Sequence, residues 1–323
     1  MLWYTPGVRK SLPLFCLLVL ILSACYVPRA VFPSVTPKVD FSSASTSKVV
    51  PEMATQTETA ITFIATSTIT SSPTPIPNTP TPTPSACLLA GGRVEVYEFT
   101  TTLLPNPLVY RIYLPPCYDE EPDRTYPVLY LIHGQTYTDT QWDRLGVPEA
   151  ADQLIRSREV GPFIVVMPRD RVWLEPTEDN FGKAVVQSLV PWIDDHYRTI
   201  PDREHRAIGG LSRGGAWAVD IGLSRWDLFS AVGVHSGFVF YSDYQPIYQW
   251  VYNTPPGMFP RIYMDVGDKD RPEISEGAAW LEDFLTRLNI PHEWHLFSGE
   301  HDEAYWHAHV EDYLRWYTME WGK

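Results

Sequence analysis

Four cysteines in 323 residues exclude a disulfide-dense small scaffold. Basic residues are also scarce: 25 Lys and Arg stand against 39 Asp and Glu, a formal net charge of −14, so the chain has no electrostatic footprint for nucleic acid. Long apolar runs are missing. The longest near the start, Leu12 to Leu22, is too short to span a bilayer.

What is present at the N-terminus has an order. Arg9 and Lys10 precede that run and Leu22-Ser23-Ala24-Cys25 closes it, the layout of a signal peptide over residues 1–24. Its end resembles the lipobox of bacterial lipoproteins, which implies lipidation of Cys25; an ordinary signal peptide with an incidental Cys25 is the alternative. A lipid at Cys25 would anchor an exported protein to the outer face of a membrane. Loss of Arg9 and Lys10 leaves 23 basic against 39 acidic residues, a formal charge of −16.

Residues 26–86 hold 22 Ser or Thr and 10 Pro among 61 positions. Such a stretch cannot bury enough apolar surface to fold, so 25–86 reads as a disordered tether with a reach on the order of 40 to 50 Å. Residues 87–323 then form one domain of ordinary size. Cys16 leaves with the signal and Cys25 is the lipid site, so Cys87 and Cys117 are the pair left for a disulfide in an oxidising setting, with two buried thiols as the alternative.

Within the domain, β-branched and aromatic runs alternate with helical patterns. Strands are expected at 93–99, 108–114, 128–132, 163–167, around 206–209, 231–234, 261–264 and 292–297. Phe181, Val185, Leu189 and Ile193 recur every fourth residue and give a helix with one apolar stripe. The alternation implies an α/β fold, a mostly parallel sheet of about eight strands covered by helices on both faces. Chemistry in such sheets collects at the carboxyl ends of the strands.

Gly210-Leu211-Ser212-Arg213-Gly214 matches the G-x-S-x-G nucleophile elbow, and its neighbours give the strand, turn and helix the motif requires. Ser212 needs a general base, because a serine hydroxyl is a poor nucleophile at neutral pH. His301 lies in a loop after the run ending at Phe297, whereas His292 and His295 lie in a strand and His307 and His309 in a helix. Five histidines between 292 and 309 could also suggest a metal, but their spacing matches no compact zinc motif, and the serine chemistry needs no metal or cofactor. Asp270 in Gly267-Asp268-Lys269-Asp270 is the expected acid; Asp268 is its competitor, and Asp265 is expected to point into the sheet layer. Both loop aspartates could instead be turn carboxylates capping the next helix. The oxyanion hole is expected from two backbone N–H groups, those of Arg213 and of Gln135 in His133-Gly134-Gln135. His133 reads as shaping that turn.

Tyr130 to Gln135, Trp142, Gly209 to Gly215, Gly267 to Asp270, and His301-Asp302 with Trp306 together resemble the putative esterase family of α/β-hydrolases, over nearly all of 93–320. That family includes esterase D-like thioesterases, feruloyl and acetylxylan esterases, enterochelin esterases and mycolyltransferases. The resemblance implies an α/β-hydrolase fold and serine-dependent ester cleavage, with Asp270 and His301 in the acid and base positions. Arg213 departs from the Met or other apolar residue expected there. An ester, small or polysaccharide-borne, is the expected substrate, by hydrolysis or by acyl transfer; a silent surface recognition module is the reading from another class. For substrate contacts the candidates are Trp142, Trp173, Phe240, Tyr241, Trp250 and Trp306. Residues 237–260, rich in Phe, Tyr and Trp, read either as a cap stacking on an aromatic acyl group or sugar, or as a short amphipathic helix packed on the sheet.

Overall fold

A computed structural model of the protein describes residues 85–171 and 173–322; the expected signal segment, Cys25 and nearly all of the tether lie outside the described residues. Helix α1 (Ala86–Ala90) opens the described chain, and Cys87 is disulfide-bonded to Cys117, past the end of the second strand. In chain order there follow β1 (Arg93–Phe99), β2 (Leu108–Leu114), β3 (Val128–Ile132), α2 (Gln141–Arg144), α3 (Val147–Arg156) and β4 (Ile164–Pro168). Then come α4 (Phe181–Ala184), a π-helical turn at Val185–Leu189, and α5 (Val190–His196). Pro191 lacks the amide an α-helix would use there, and the turn before it widens. The rest is β5 (Arg206–Leu211), α6 (Arg213–Ser224), β6 (Ala231–His235), α7 (Pro246–Asn253), β7 (Arg261–Gly267), α8 (Pro272–Arg287), β8 (Glu293–Phe297) and α9 (Glu303–Thr318).

The eight strands form one sheet in the order β1-β2-β4-β3-β5-β6-β7-β8. β2 pairs antiparallel with β1 and β4, and all other pairs are parallel. Every residue of β3, β4, β5 and β6 is buried, as expected for strands covered on both faces. Alternation sorts their side chains. Val128, Tyr130 and Ile132 join a core with Phe181, Val185, Leu189 and Ile193 and with α6 and α8, while Leu129 and Leu131 join a second core with α3 and α9. The stripe repeating every fourth residue from Phe181 therefore survives the π turn and faces the sheet. The parallel strands aim the loops after β3, β5, β7 and β8 at one edge.

Candidate active site

At that edge β5 ends in a sharp turn. Ser212 adopts φ 54° and ψ −120° before α6 begins at Arg213, a region that costs a non-glycine residue free energy. The flanking glycines are steric necessities: a Cβ on Gly210 would lie 2.2 Å from the Gly214 carbonyl oxygen, and one on Gly214 would lie 2.1 Å from that of Ile132. The Ser212 N–H donates to the His235 carbonyl at 2.8 Å, tying the turn to β6.

The loop between β8 and α9 brings His301 Nε2 to 2.9 Å from Ser212 Oγ. Its Nδ1 lies 2.7 Å from Asp270 Oδ1, in the loop after β7. Asp268, the competing acid, turns elsewhere: its Oδ1 accepts the Gly299 N–H at 2.9 Å and fastens the two loops together. Asp302 caps α9 by accepting the Tyr305 N–H at 2.9 Å. Asp265 is buried among His235, Tyr305 and Tyr313. His307 bonds through Nδ1 to the Leu145 carbonyl, and His309 stacks on Phe297.

The turn after β3 carries Gln135 to the cleft. Buried His133 accepts the Asp170 N–H at Nε2 (3.0 Å), so its proton sits on Nδ1 and is donated to the Gly134 carbonyl at 2.8 Å. Burial pushes its pKa below the ordinary histidine value, which keeps the ring neutral in this role. Arg213 brings its backbone to the elbow, but its side chain leaves the cleft. Nε donates to Asp170 Oδ2 at 2.9 Å, and the guanidinium lies over Phe240. Asp170 also accepts the Trp217 indole N–H at 2.9 Å. Asp170 was not singled out from the sequence; no local pattern marks it, because its partners are 37 to 47 positions away.

Ser212 and His301 line a cleft of about 630 Å³ whose walls include Phe238, Ile274, Trp306, Tyr137 and Lys269. Of the six substrate candidates only Trp306 is among its lining residues, its ring edge-on to His301 at 4.9 Å. The other five, contrary to expectation, lie away from it. Trp142 is buried beneath β3, its indole N–H donating to the Ile132 carbonyl at 3.0 Å. Phe240 is a core residue packed against Trp217. Trp250 lines a separate crevice beside Trp217 and Asp220. Trp173 and Tyr241 are exposed, and neither reaches the cleft. In place of an aromatic cap the segment holds a short helix, packed against α6 and α8 and not laid on the sheet as the second reading expects: α7 presents Tyr248 to Phe284 of α8, and the preceding Tyr244 meets Trp280. Phe238, just after β6, is the one aromatic of that segment that reaches the cleft.

Residues 102–317 match the Esterase family model, described as "Putative esterase". The chain is 31% identical over 193 residues to an endo-1,4-beta-xylanase/feruloyl esterase of Xylanibacter ruminicola, covering 56% of this chain and 26% of that protein. It is 33% identical over 158 residues to Esterase Rv1288 of Mycobacterium tuberculosis, covering 45% and 32%. The chain thus spans about a quarter to a third of the length of these relatives. Among solved structures, a ferulic acid esterase superposes with a TM-score of 0.63 at 24% identity, over 71% of this chain and 99% of that one. The ferulic acid esterase AmCE1/Fae1A of Anaeromyces mucronatus, in complex with ferulic acid, gives 0.61 at 19%, over 72% and 93%. At these identities the likeness is one of fold.

Proposed function

The chain belongs to the putative esterase family, and we propose that it is a serine carboxylesterase working through an acyl-serine intermediate. The observation that carries this reading is the pair of hydrogen bonds from Asp270 to His301 to Ser212 Oγ at the cleft. In the forward step the Ser212 hydroxyl proton passes to His301 Nε2 as Oγ attacks the ester carbonyl carbon. Asp270 holds the ring through Nδ1 and stabilises the imidazolium. The carbonyl oxygen becomes an oxyanion at the Gln135 and Arg213 backbone N–H groups, each such donor contributing about 3 kcal/mol in the transition state. Collapse expels the alcohol, which takes the proton from Nε2. Water then repeats the sequence on the acyl-serine and releases the acid.

Hydrolysis is favoured over acyl transfer by the packing of the aromatic segment, of which, among the described residues, Phe238 alone lines the cleft, so that the segment does not cover the acyl-serine against water. For substrate we propose carbohydrate-linked esters, feruloyl or acetyl, or small exported esters. The named activities of the relatives support this, as does an apolar wall of Phe238, Ile274 and Trp306 suited to a planar acyl group. Export and anchoring through lipidated Cys25 complete the proposal. Its support is the sequence around Cys25, and a disulfide at Cys87 and Cys117 suits an oxidising compartment.

Fluorophosphonate labelling tests the chemistry. A covalent adduct at Ser212 is expected, and its absence in folded protein would leave the recognition-module reading. Release from p-nitrophenyl acetate, butyrate and laurate, beside methyl ferulate and acetylated xylan, tests the substrate; a strong preference for laurate would count against carbohydrate esters. Cys25→Ala is expected to abolish incorporation of labelled palmitate in a bacterial host.

A further inference from the structure

Gln141, the first residue of α2, is completely buried. Its Oε1 accepts the Gly134 N–H at 2.8 Å. Its Nε2 points to Glu303 Oε1 at 3.4 Å, where α9 begins just past His301, and Arg144 is ion-paired to the same oxygen. An amide buried this deeply costs free energy unless its ends are bonded, and packing alone would be served by an apolar side chain of the same length.

What it bonds to is the residue that aims Gln135. In a planar trans peptide the carbonyl and the following N–H point opposite ways, so the direction of the Gln135 N–H is set by that of the Gly134 carbonyl. That carbonyl is held by His133 Nδ1–H at 2.8 Å and the Tyr137 N–H at 3.2 Å. A Cβ on Gly134 would lie 2.8 Å from Leu211 Cδ1, so glycine fits there without displacing that side chain. Glycine is also the residue least able to hold one conformation by itself. The Gln141 bond fixes its other peptide group, leaving neither side of Gly134 able to rotate independently.

On the serine-esterase reading, we infer that Gln141 is a positioning residue that preorganises the oxyanion turn and couples it, through Glu303, to the element following the base. Preorganised donors stabilise the transition state more than the bound ester, so the effect belongs in kcat.

The experiment compares two shape-matched variants on one p-nitrophenyl ester. Gln141→Met removes the acceptor, and kcat is expected to fall about 10- to 100-fold with KM within about 3-fold. Inhibition by a boronic acid, whose tetrahedral adduct on Ser212 places an oxyanion at the turn, is expected to weaken in parallel. Gln141→Glu combined with Glu303→Gln keeps the acceptor for the Gly134 N–H and a donor–acceptor contact between the two positions, with the net charge beside Arg144 unchanged, and kcat is expected within about 5-fold of wild type. A side chain that merely fills space reverses the order, with Gln141→Met active and the exchanged pair crippled by the carboxylate moved to the buried position. That result, or a wild-type kcat in Gln141→Met, overturns the inference. If circular dichroism shows Gln141→Met unfolded, Gln141→Asn, whose acceptor falls one methylene short, takes its place with the same expectation. A wild-type chain that cleaves no ester and takes no fluorophosphonate at Ser212 overturns the esterase reading and the inference with it; an active wild type with indifferent variants overturns the inference alone.

Discussion

Of the three aspartates on strand β7 and the loop after it, two, Asp265 and Asp270, are each paired with a histidine Nδ1, at 2.6 Å to His235 and 2.7 Å to His301. By residue type and distance the pairs are nearly identical. Their surroundings differ. Asp265 also accepts from the Tyr305 and Tyr313 hydroxyls, and His235 Nε2 meets the Tyr317 hydroxyl at 2.9 Å, all within the core. Burial, then the neighbouring carboxylate, pushes the pKa of these three phenols above the ordinary tyrosine value, so they stay protonated donors. His301 Nε2 instead meets the hydroxyl of a serine held at positive φ beside a cleft. A His–Asp pair becomes chemistry only where its far nitrogen faces a nucleophile that substrate can reach. The sealed pair links β6, β7 and α9.

The comparison breaks most visibly if the open pair is removed. Ser212→Ala is expected to lower kcat by 10⁴-fold or more, and Asp270→Asn by about 10³- to 10⁴-fold, with unchanged circular dichroism. Asp268→Asn, which loosens a loop contact only, should cost less than about 10-fold in the same assay. In the sealed pair the cost shifts from rate to stability. Asp265→Asn is expected to lose about 3–5 kcal/mol in urea unfolding, because it leaves buried donors without their carboxylate. A variant with wild-type stability and an activity as low as that of Asp270→Asn would erase the distinction between the pairs.

Asp220 sharpens what saturation by donors accomplishes. Desolvation on α6, with Asp243 nearby, raises its pKa to about 8, and desolvation raises that of Asp243 to about 7. The unfolded chain ionises both groups near pH 4 while the folded chain still holds the protons, so the contribution of these two groups to stability is expected to decline between about pH 4 and pH 8. Asp220→Asn should flatten that decline and stabilise the protein at pH 8 by about 1–3 kcal/mol, as read by urea titration at several pH values. A gain from Asp220→Asn that shrinks as the pH rises from about 4 to 8 would contradict the assigned direction.

The smallest effects concern the aromatic residues. Phe238→Ala is expected to reduce kcat/KM on methyl ferulate by about 10-fold through loss of a cleft wall, while Tyr241→Ala and Trp250→Ala change it less than about 2-fold. A large loss in either of the latter two would restore a substrate role to the segment.

The strands were readable as apolar runs, and the four loops that meet at the cleft were readable as turn chemistry: the elbow glycines, the His-Gly turn, the Gly-Asp-Lys-Asp loop and the His-Asp loop. These are local signals. The buried link among Asp170, Arg213 and His133, the Gln141 clamp and the place of Phe238 were not readable, because each depends on residues brought together from distant positions. Arg213 illustrates the limit: it departs from the apolar residue expected at that position, and only the fold shows its guanidinium in a buried salt bridge behind the cleft. Trp142 does the same, since nothing local reveals that α2 turns its indole under β3.

What the sequence by itself determined is the succession of strands and helices and the points where the backbone must turn tightly, because propensity, periodicity and the steric needs of glycine act within a few residues. Tertiary structure alone decided which aspartate meets which histidine, which aromatic rings face the cleft, and which polar side chains are sealed inside. Those outcomes depend on strand register and on the rotation of each helix against the sheet, which emerge only when the two cores pack.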